Sequence, residues 1–298
     1  MFFAKSHQRT SHFFLEYFPQ LCIFAIHYTP MPKVVFITGA SSGIGKAIAL
    51  HLHDKGYTVF GTSRNPHSYK DNVPFSLLQL DVTKPETIKE AVSQIISQAG
   101  QLDVLVNNAG VGITGPIEET PTDEIRSAFE TNFYGPLHVI KAVLPQMRQQ
   151  QSGHIINVTS IAGYMGLPYR GIYSATKAAL EITTEAYRME TQQFGIKMTN
   201  IAPGDFATNI ASGRYHAPVL DNSPYKNAYG ATLEMMNTHV DAGNDPSDMA
   251  KAVEQIIETK HPKIHYKVGA FLQKFSIVLK RVLPDRTYER MVMKHYKL

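Results

Sequence analysis

The chain has 298 residues, of which 43% are hydrophobic and 18% are charged, so it is long and apolar enough to bury a complete core. Its net charge of +4 includes no long basic run, which argues against a nucleic-acid-binding protein. A single cysteine, Cys22, excludes an intrachain disulfide, and no cysteine or histidine cluster has the spacing of metal ligands.

Residues 1–30 contain an apolar stretch at positions 13–26 that Glu16 and Pro19 interrupt. It is too short and too broken to predict a membrane span. Basic residues before it resemble the start of a signal peptide, but no small-residue cleavage site follows. A third interpretation, which we prefer, is that translation starts at Met31. We therefore expect residues 1–30 to be a poorly ordered extension.

From residue 34 onward, apolar β-rich runs alternate with segments of helical periodicity. The predicted strands are residues 34–38, 57–62, 75–80, 102–107, 154–159, 196–201 and 264–268. The predicted helices are residues 46–53, 87–99, 122–151, 172–194 and 246–257. Pro136 and Pro145 are expected to kink or break the third of them. This alternation predicts a single α/β domain over residues 31–270 with a doubly wound parallel sheet, a Rossmann fold.

Two later segments depart from this alternation. Residues 209–241 have weak periodicity, and their place after the sixth strand predicts a lid over a substrate. Residues 271–298 are expected to form a C-terminal helical extension that begins with an amphipathic helix. The apolar face of that helix consists of Phe271, Phe275, Val278 and Val282. We prefer packing on the core or a second subunit for this face; the alternative is contact with a membrane surface.

A glycine-rich loop, Thr38-Gly-x-x-x-Gly-x-Gly45, lies between the first strand and the first helix. Gly39 permits a tight turn, Gly43 lets the backbone approach a pyrophosphate, and Gly45 lets the helix pack closely on the strand. The helix amino terminus then faces the phosphates with free N–H groups and the positive end of its dipole. The loop therefore predicts a dinucleotide-binding site.

The end of the second strand indicates which dinucleotide is preferred. NAD enzymes place an acidic residue there to bind the ribose 2′-hydroxyl. This chain has Gly61-Thr-Ser-Arg64 instead, and Arg64 can bind a 2′-phosphate through charge-assisted hydrogen bonds. We prefer this interpretation to a solvated arginine in a turn, so NADP(H) is expected over NAD(H).

Tyr173 and Lys177 lie four residues apart in a predicted helix, so they share one face. A phenol with a pKa of ~10 is a weak acid–base catalyst at neutral pH, and a nearby ammonium lowers that pKa toward the working range. Ser160 follows a buried strand, at the carboxyl edge where open α/β sheets bind ligands. Taken alone, such a pair is far more often a surface Tyr and Lys on an ordinary helix.

Two further motifs, Asn107-Asn-Ala-Gly110 and Pro203-Gly204, accompany the glycine loop and the Tyr–Lys pair. Together and in this order they resemble the classical short-chain dehydrogenase/reductase family, from about Lys33 to Lys267. The long lid and the C-terminal extension resemble the branch that includes 17β-hydroxysteroid and retinol dehydrogenases.

The resemblance implies roles for the residues at the predicted site. Tyr173 would be the general acid in reduction and the general base in oxidation, and Lys177 would lower its pKa and bind the nicotinamide ribose. Ser160 would bind the substrate oxygen together with Tyr173 and stabilise a developing alkoxide. Asn132 would position a water in the proton relay to Lys177; the alternative is that it only holds a bent helix.

The resemblance also implies the cofactor contacts. Asp81 and Val82 match an adenine-binding pair, the Asn107 motif lies along the cofactor, and the Phe206 backbone with the Thr208 hydroxyl holds the nicotinamide carboxamide. The expected cofactor-binding residues are Gly39, Ser41, Ser42, Gly43, Ile44, Gly45, Arg64, Asp81, Val82, Asn107, Ala109, Gly110, Tyr173, Lys177, Pro203, Gly204, Phe206 and Thr208.

These observations predict an NADP(H)-dependent oxidoreductase that acts on an alcohol or ketone. The segments expected to line the substrate pocket are apolar and aromatic, which favours an apolar substrate. They contain Ile113, Ile161, Tyr164, Met165, Leu167, Tyr169 and Tyr215. The alternative is a catalytically silent nucleotide sensor or scaffold on the same fold; an epimerase or dehydratase ranks lower. By resemblance we expect a cytoplasmic homodimer or homotetramer, paired through the helices that hold Asn132 and Tyr173.

Overall fold

The structure, a computed structural model, describes residues 31–69, 73–206, 213–241 and 244–298. The extension predicted at residues 1–30 lies outside the described residues. From Pro32 to Leu298 the chain forms one compact unit.

The described strands are arranged in two parallel sheets. They are β1 (Val34–Ile37), β2 (Thr58–Ser63), β3 (Ser76–Gln79), β4 (Val104–Asn107), β5 (Ile113–Thr114), β6 (Gly153–Val158), β7 (Ile196–Pro203), β8 (Tyr215–His216) and β9 (His265–Val268). The main sheet has seven strands in the order β3-β2-β1-β4-β6-β7-β9. This order confirms the doubly wound sheet, because the chain runs outward from β1 to one edge and then from β4 to the other. The two-residue strands β5 and β8 form a separate ribbon, which the sequence did not predict.

Helices connect the strands and continue past the sheet. They are α1 (Gly43–Asp54), α2 (Pro85–Ala99), α3 (Thr122–Phe129), α4 (Gly135–Gln150), α5 (Gly171–Thr191), α6 (Lys226–Asp241), α7 (Pro246–Glu258), α8 (Phe271–Val282) and α9 (Asp285–Tyr296). The described part of the predicted lid begins at Gly213 and contains β8 and α6. The weak periodicity of this segment did not predict α6.

Both faces of the main sheet are buried, which explains the unbroken apolar runs of its central strands. Val35 and Ile37 of β1 pack in one cluster with buried residues of α1 and α7. Val34 and Phe36 point the other way and pack with α2 and α4. Successive side chains of a strand enter opposite layers, so a strand covered on both sides needs apolar residues at every position.

The predicted helix over residues 122–151 is interrupted just before the first of its two prolines. A π-helical turn over Glu130–Tyr134 separates α3 from α4 and contains Asn132. Pro136 lies in the first turn of α4 and has no N–H for the carbonyl of Asn132, four residues earlier in the π-helical turn. The interruption therefore accompanies this proline, as expected, whereas Pro145 lies inside α4.

The apolar face of α8 is only partly covered. Ile277 is buried in a cluster with Ile161, Met165 and Tyr288. Five other apolar side chains of the helix are exposed, each by 40% or more: Phe271, Leu272, Phe275, Val278 and Val282. In the described part of the chain, no helix combines the length and the apolar character needed to cross a membrane.

A buried histidine makes the stability of this fold dependent on pH. His154 of β6 is buried, and its Nε2 lies 3.0 Å from the Thr199 hydroxyl on β7. Burial, helped by Lys197 and Arg188, lowers the pKa of His154 from 6.5 to about 3. Between these pH values the unfolded chain binds a proton that the folded chain does not. The free energy of unfolding therefore falls as the pH drops from 6.5 toward 3, at up to ~1.4 kcal/mol per pH unit.

We expect His154→Gln to remove this acid sensitivity while its amide keeps a bond to Thr199. Urea unfolding at pH 7 and at pH 4.5 measures the pH dependence of the free energy of unfolding. The wild-type protein should lose ~2–3 kcal/mol more between the two values than the variant. The control is His67→Gln at an exposed position, which should follow the wild-type dependence. If His154→Gln lost as much stability as the wild-type protein, the acid sensitivity would not come from a neutral buried imidazole.

Candidate active site

The glycine loop between β1 and α1 has the backbone that its sequence predicts. Gly39 and Gly43 have φ values of +68° and +54°, a region that L side chains rarely adopt. A Cβ on Gly45 would lie 2.2 Å from the Gly39 carbonyl oxygen and 2.4 Å from Asn108 Nδ2. The side chain of Ser42, the N-cap residue, makes no capping hydrogen bond. The first N–H groups of α1 therefore remain available to a phosphate.

Two side chains that the sequence analysis did not single out hold this loop in place. Asn108 Nδ2 donates to the carbonyl oxygens of Thr38 and Gly39, at 3.0 Å each. The Thr38 hydroxyl accepts the backbone N–H groups of Asn108 and Ala109 at 3.0 and 3.1 Å. These bonds join the ends of β1 and β4. In the sequence, only the positions of Thr38 and Asn108 inside the two motifs could have indicated this role.

The expected adenosine end of the site lies beside β2 and β3. Arg64, directly after β2, is exposed and forms no ion pair with the residues that the structure describes. The carboxylate of Asp81 accepts the N–H and the hydroxyl of Thr83 at 3.0 and 2.8 Å. Val82 is buried. Arg64 therefore keeps its guanidinium available for an anion.

The structure brings Ser160, Tyr173 and Lys177 together at the carboxyl edge of the sheet. Ser160 follows β6, and Tyr173 and Lys177 lie one turn apart on α5. Their exposed fractions are 7%, 9% and 5%. Ser160 and Tyr173 line one cleft, together with Ile44 of the glycine loop and Gly204 after β7. Two hydroxyls of different elements therefore face the same space, next to the loop that would hold a dinucleotide.

Lys177 lies one helical turn after Tyr173 on α5, and its side chain is buried. Its Nζ donates to the Val158 carbonyl oxygen at 3.1 Å and lies 6.0 Å from the centre of the Tyr173 ring. Burial lowers the pKa of Lys177 from its ordinary value, and the nearby Tyr173 and Glu181 oppose that shift.

Asn132 lies in the π-helical turn and is completely buried. Its Oδ1 accepts the Val111 N–H at 2.8 Å, and its Nδ2 donates to the Val111 carbonyl oxygen at 2.8 Å and to the Thr176 hydroxyl at 3.2 Å. Its amide thus joins the segment after Gly110 to α5. π turns are uncommon and are often found at functional sites.

A buried carboxylate under the site was missed by the sequence analysis. Glu181 lies one turn after Lys177 on α5 and is 5% exposed. Its carboxylate bonds the Thr159 hydroxyl, the Tyr164 hydroxyl, the Asn200 amide and the His265 ring. Buried charges require such partners, so these bonds fix the residue that precedes Ser160. Nothing in the sequence distinguishes Glu181 from a surface glutamate on a helix.

The lining of the cleft is more polar than expected. Beside Ile113 it contains Arg170, Asp205 and Arg214. Residues expected in the lining lie elsewhere: Ile161 and Met165 pack under α8, and Tyr164 bonds Glu181. Thr208 lies outside the described residues.

These features fit a dinucleotide cofactor. Gly39 and Gly45 leave the space that a Cβ would fill, and the start of α1 is uncapped. The other expected contacts, from Asn107 to Gly110 and from Pro203 to Phe206, lie at the carboxyl ends of β4 and β7. Parallel strands bring these ends to one edge of the sheet.

Comparisons with known proteins agree with this arrangement. The short chain dehydrogenase family matches residues 33–218. A 3-ketodihydrosphingosine reductase from Bacteroides thetaiotaomicron is 40% identical over 255 residues, 85% of this chain and 94% of that protein. Human retinol dehydrogenase 8 is 32% identical over 253 residues, 78% of this chain and 80% of that protein.

A solved structure gives the same result for the fold. The crystal structure of a short-chain dehydrogenase from Streptomyces avermitilis superimposes with a TM-score of 0.76 at 32% identity, and the match covers 90% of this chain and 97% of that one. The chain therefore belongs to the short-chain dehydrogenase/reductase family and is an NAD(P)-dependent oxidoreductase.

Proposed function

We propose that this protein uses NADP(H) to transfer hydride between nicotinamide and the alcohol or ketone carbon of a largely apolar substrate, with Tyr173 as the acid–base group. The observation that carries the proposal is the shared cleft of Ser160 and Tyr173, with the buried ammonium of Lys177 one turn behind. A nucleotide sensor would not need these three groups in this arrangement.

In the reductive direction the cofactor supplies a hydride to the carbonyl carbon, and the protein supplies the proton. Tyr173 donates its phenolic proton to the substrate oxygen, and the charge of Lys177 stabilises the phenolate that remains. Ser160 donates a hydrogen bond to the same oxygen as negative charge develops there. In oxidation the phenolate accepts the proton instead.

Asn132 supports this chemistry indirectly, by fixing the backbone next to the site. Its side-chain amide already bonds Val111 and Thr176. We propose that a relay water to Lys177 is therefore held by the main-chain carbonyl of Asn132, which belongs to the π-helical turn. The amide fixes the position of that turn against α5.

The preference for NADP(H) rests on Arg64, the exposed cation after β2. We expect Arg64→Asp to shift the ratio of kcat/KM values for NADPH and NADH toward NADH by about tenfold or more, because the new carboxylate repels a 2′-phosphate and can bind a 2′-hydroxyl. Steady-state kinetics with both cofactors measure the ratio. Arg126→Asp, at a well-exposed position on α3, is the matched control. An unchanged ratio in Arg64→Asp would remove the 2′-phosphate assignment.

An apolar substrate is supported by two relatives, whose names refer to retinol and to 3-ketodihydrosphingosine, both long and largely apolar compounds. A panel of ketones with NADPH and NADH, followed at the nicotinamide absorbance, tests the activity. Oxidation of either cofactor by a ketone supports an enzyme. Tight cofactor binding without turnover on any ketone or alcohol would favour the silent sensor.

We also propose that the protein pairs through the α4 and α5 region. Ile182 and Met189 on α5 are 67% and 71% exposed, and Tyr134, just before α4, is 45% exposed. Exposed apolar side chains on these helices suit a contact with a second copy. The proposed location is the cytoplasm, where a reductase has access to reduced NADPH.

A further inference from the structure

Two arginines line the cleft that contains the proposed acid–base group. Arg170 lies directly before α5, and Arg214 lies directly before β8. Both line the cleft with Ser160 and Tyr173. A cleft for a neutral apolar ketone does not need two guanidinium groups. The contacts of Arg170 and Arg214 indicate which role the two groups have.

Arg214 is held in place, but part of its guanidinium is unsatisfied. Its Nη1 is buried and has no hydrogen-bond partner among the residues that the structure describes. A Cβ on Gly112 would lie 2.8 Å from Arg214 Cγ and 3.1 Å from its Nε, so the glycine makes room for this side chain. The next residue, Tyr215, donates its backbone N–H to the Gly112 carbonyl oxygen at 3.0 Å. The ribbon of β5 and β8 thus fixes the Arg214 backbone beside the cleft.

Arg170 lies against the proposed acid–base group. Its guanidinium carbon is 5.4 Å from the centre of the Tyr173 ring. Burial raises the pKa of Tyr296 in α9, and the nearby guanidinium of Arg170 opposes that shift. Arg170 therefore lies between Tyr173 in the cleft and the C-terminal helix.

The charges of the lining do not cancel. Asp205 is the acidic residue there, and its carboxylate accepts from Gln273 Nε2 at 2.7 Å. Burial and then the like charge of Arg170 lower the pKa of the Arg214 guanidinium, and nearby Tyr173 and Asp205 oppose that shift only in part. A buried donor without a partner is costly, and two neighbouring cations repel each other. A bound anionic group removes both costs, because it accepts from Nη1 and neutralises the pair.

We propose that Arg170 and Arg214 form an anion-binding pair in the substrate cleft, so that the carbonyl substrate carries a carboxylate, phosphate or sulfate group near its reacting carbon. This rests on the proposed function and narrows its substrate class to ketones or alcohols with an apolar body and an anionic group.

Matched substrates test the proposal. The wild-type protein with NADPH is assayed on straight-chain oxo acids, their keto-phosphate counterparts and the methyl esters of the same oxo acids. The ratio of kcat/KM values for acid and ester should fall by about tenfold or more in Arg214→Gln, because a charge-assisted bond is lost. Arg214→Lys should recover part of the ratio, and Arg126→Gln should keep the wild-type ratio. Whether the carboxylates or the phosphates react better identifies the anionic group.

Two controls distinguish substrate binding by Arg214 from a role in cofactor binding or in folding. Fluorescence titration with NADPH should give the same Kd for the wild-type protein and Arg214→Gln. A weaker Kd would assign Arg214 to the cofactor and overturn the proposal, as would equal losses on acids and esters. Thermal unfolding shows whether the variant is folded.

If no ketone is reduced by the wild-type protein, the proposed function fails but the anion pair is still tested. Calorimetric titration of NADP⁺-loaded protein with decanoate and with decanamide then tests whether the arginine pair binds an anion. Decanoate should bind the wild-type protein about tenfold or more tightly than Arg214→Gln, and decanamide should bind both weakly. Equal binding of decanoate by both proteins would overturn the anion pair.

Discussion

Tyr173→Phe is expected to lower kcat by about 10²–10⁴-fold, the range that positioned acid–base groups contribute. The phenylalanine fills the same space, so the cleft and the glycine loop keep their shape, but the proton for the substrate oxygen is lost. Lys177 and Ser160 remain in place. Initial rates of NADPH oxidation with a reactive ketone measure the change, and NADPH fluorescence measures the Kd, which should equal that of the wild-type protein.

The matched control for this variant is Tyr69→Phe. Tyr69 is 38% exposed and does not line the cleft, so its loss of a hydroxyl should leave kcat unchanged. Turnover close to the wild-type rate in Tyr173→Phe would remove Tyr173 from the mechanism. A parallel loss of NADPH binding would instead show that the substitution disturbed the cofactor site.

Asn132→Ala is expected to reduce both activity and stability. It leaves the N–H and C=O groups of Val111 without the partner that the amide provides. Each buried group that loses its partner costs ~1–3 kcal/mol of stability. The segment after Gly110, which lies beside Lys177, is then free to shift, and a displacement of ~1 Å lowers kcat by about 10²-fold. Urea unfolding and steady-state kinetics measure the two effects.

An exposed asparagine provides the comparison for that variant. Asn227→Ala, at an exposed position on α6, should change neither the free energy of unfolding nor kcat. If Asn132→Ala lost stability but kept wild-type kcat in the folded fraction, Asn132 would only hold the bent helix, the alternative considered from the sequence. Loss of kcat in a protein that is still folded supports the link from Asn132 through Val111 to the site.

Much of the fold could be predicted because it rests on local patterns. The unbroken apolar run from Val34 to Ile37 indicated a strand buried on both faces, and the structure confirms it. The helix predicted over residues 246–257 is α7, and it begins at Pro246, whose fixed φ suits the first position of a helix. The motif spacing also indicated the family, since the glycine loop and the Asn107 and Pro203 motifs lie at the carboxyl ends of main-sheet strands. Parallel strands carry the following residues to one edge without further information.

Features that depend on distant partners could not be predicted. The side-chain bonds of Asn132 are one example, because their partners Val111 and Thr176 lie 21 and 44 residues away in the sequence. The β5–β8 ribbon is another, since two-residue strands have no pattern and these two are a hundred residues apart in the sequence. Arg170 and Arg214 looked like ordinary loop residues until the fold placed them in one cleft.

The amino-acid sequence by itself determined the sheet, the glycine loop and the spacing of Tyr173 and Lys177, because backbone conformation and strand burial depend on residues that are near one another. Tertiary structure alone decided the burial of Lys177, the partners of Glu181 and the charge of the cleft lining. These properties arise where side chains from several elements meet. Their energies depend on desolvation and on partners that no local pattern identifies.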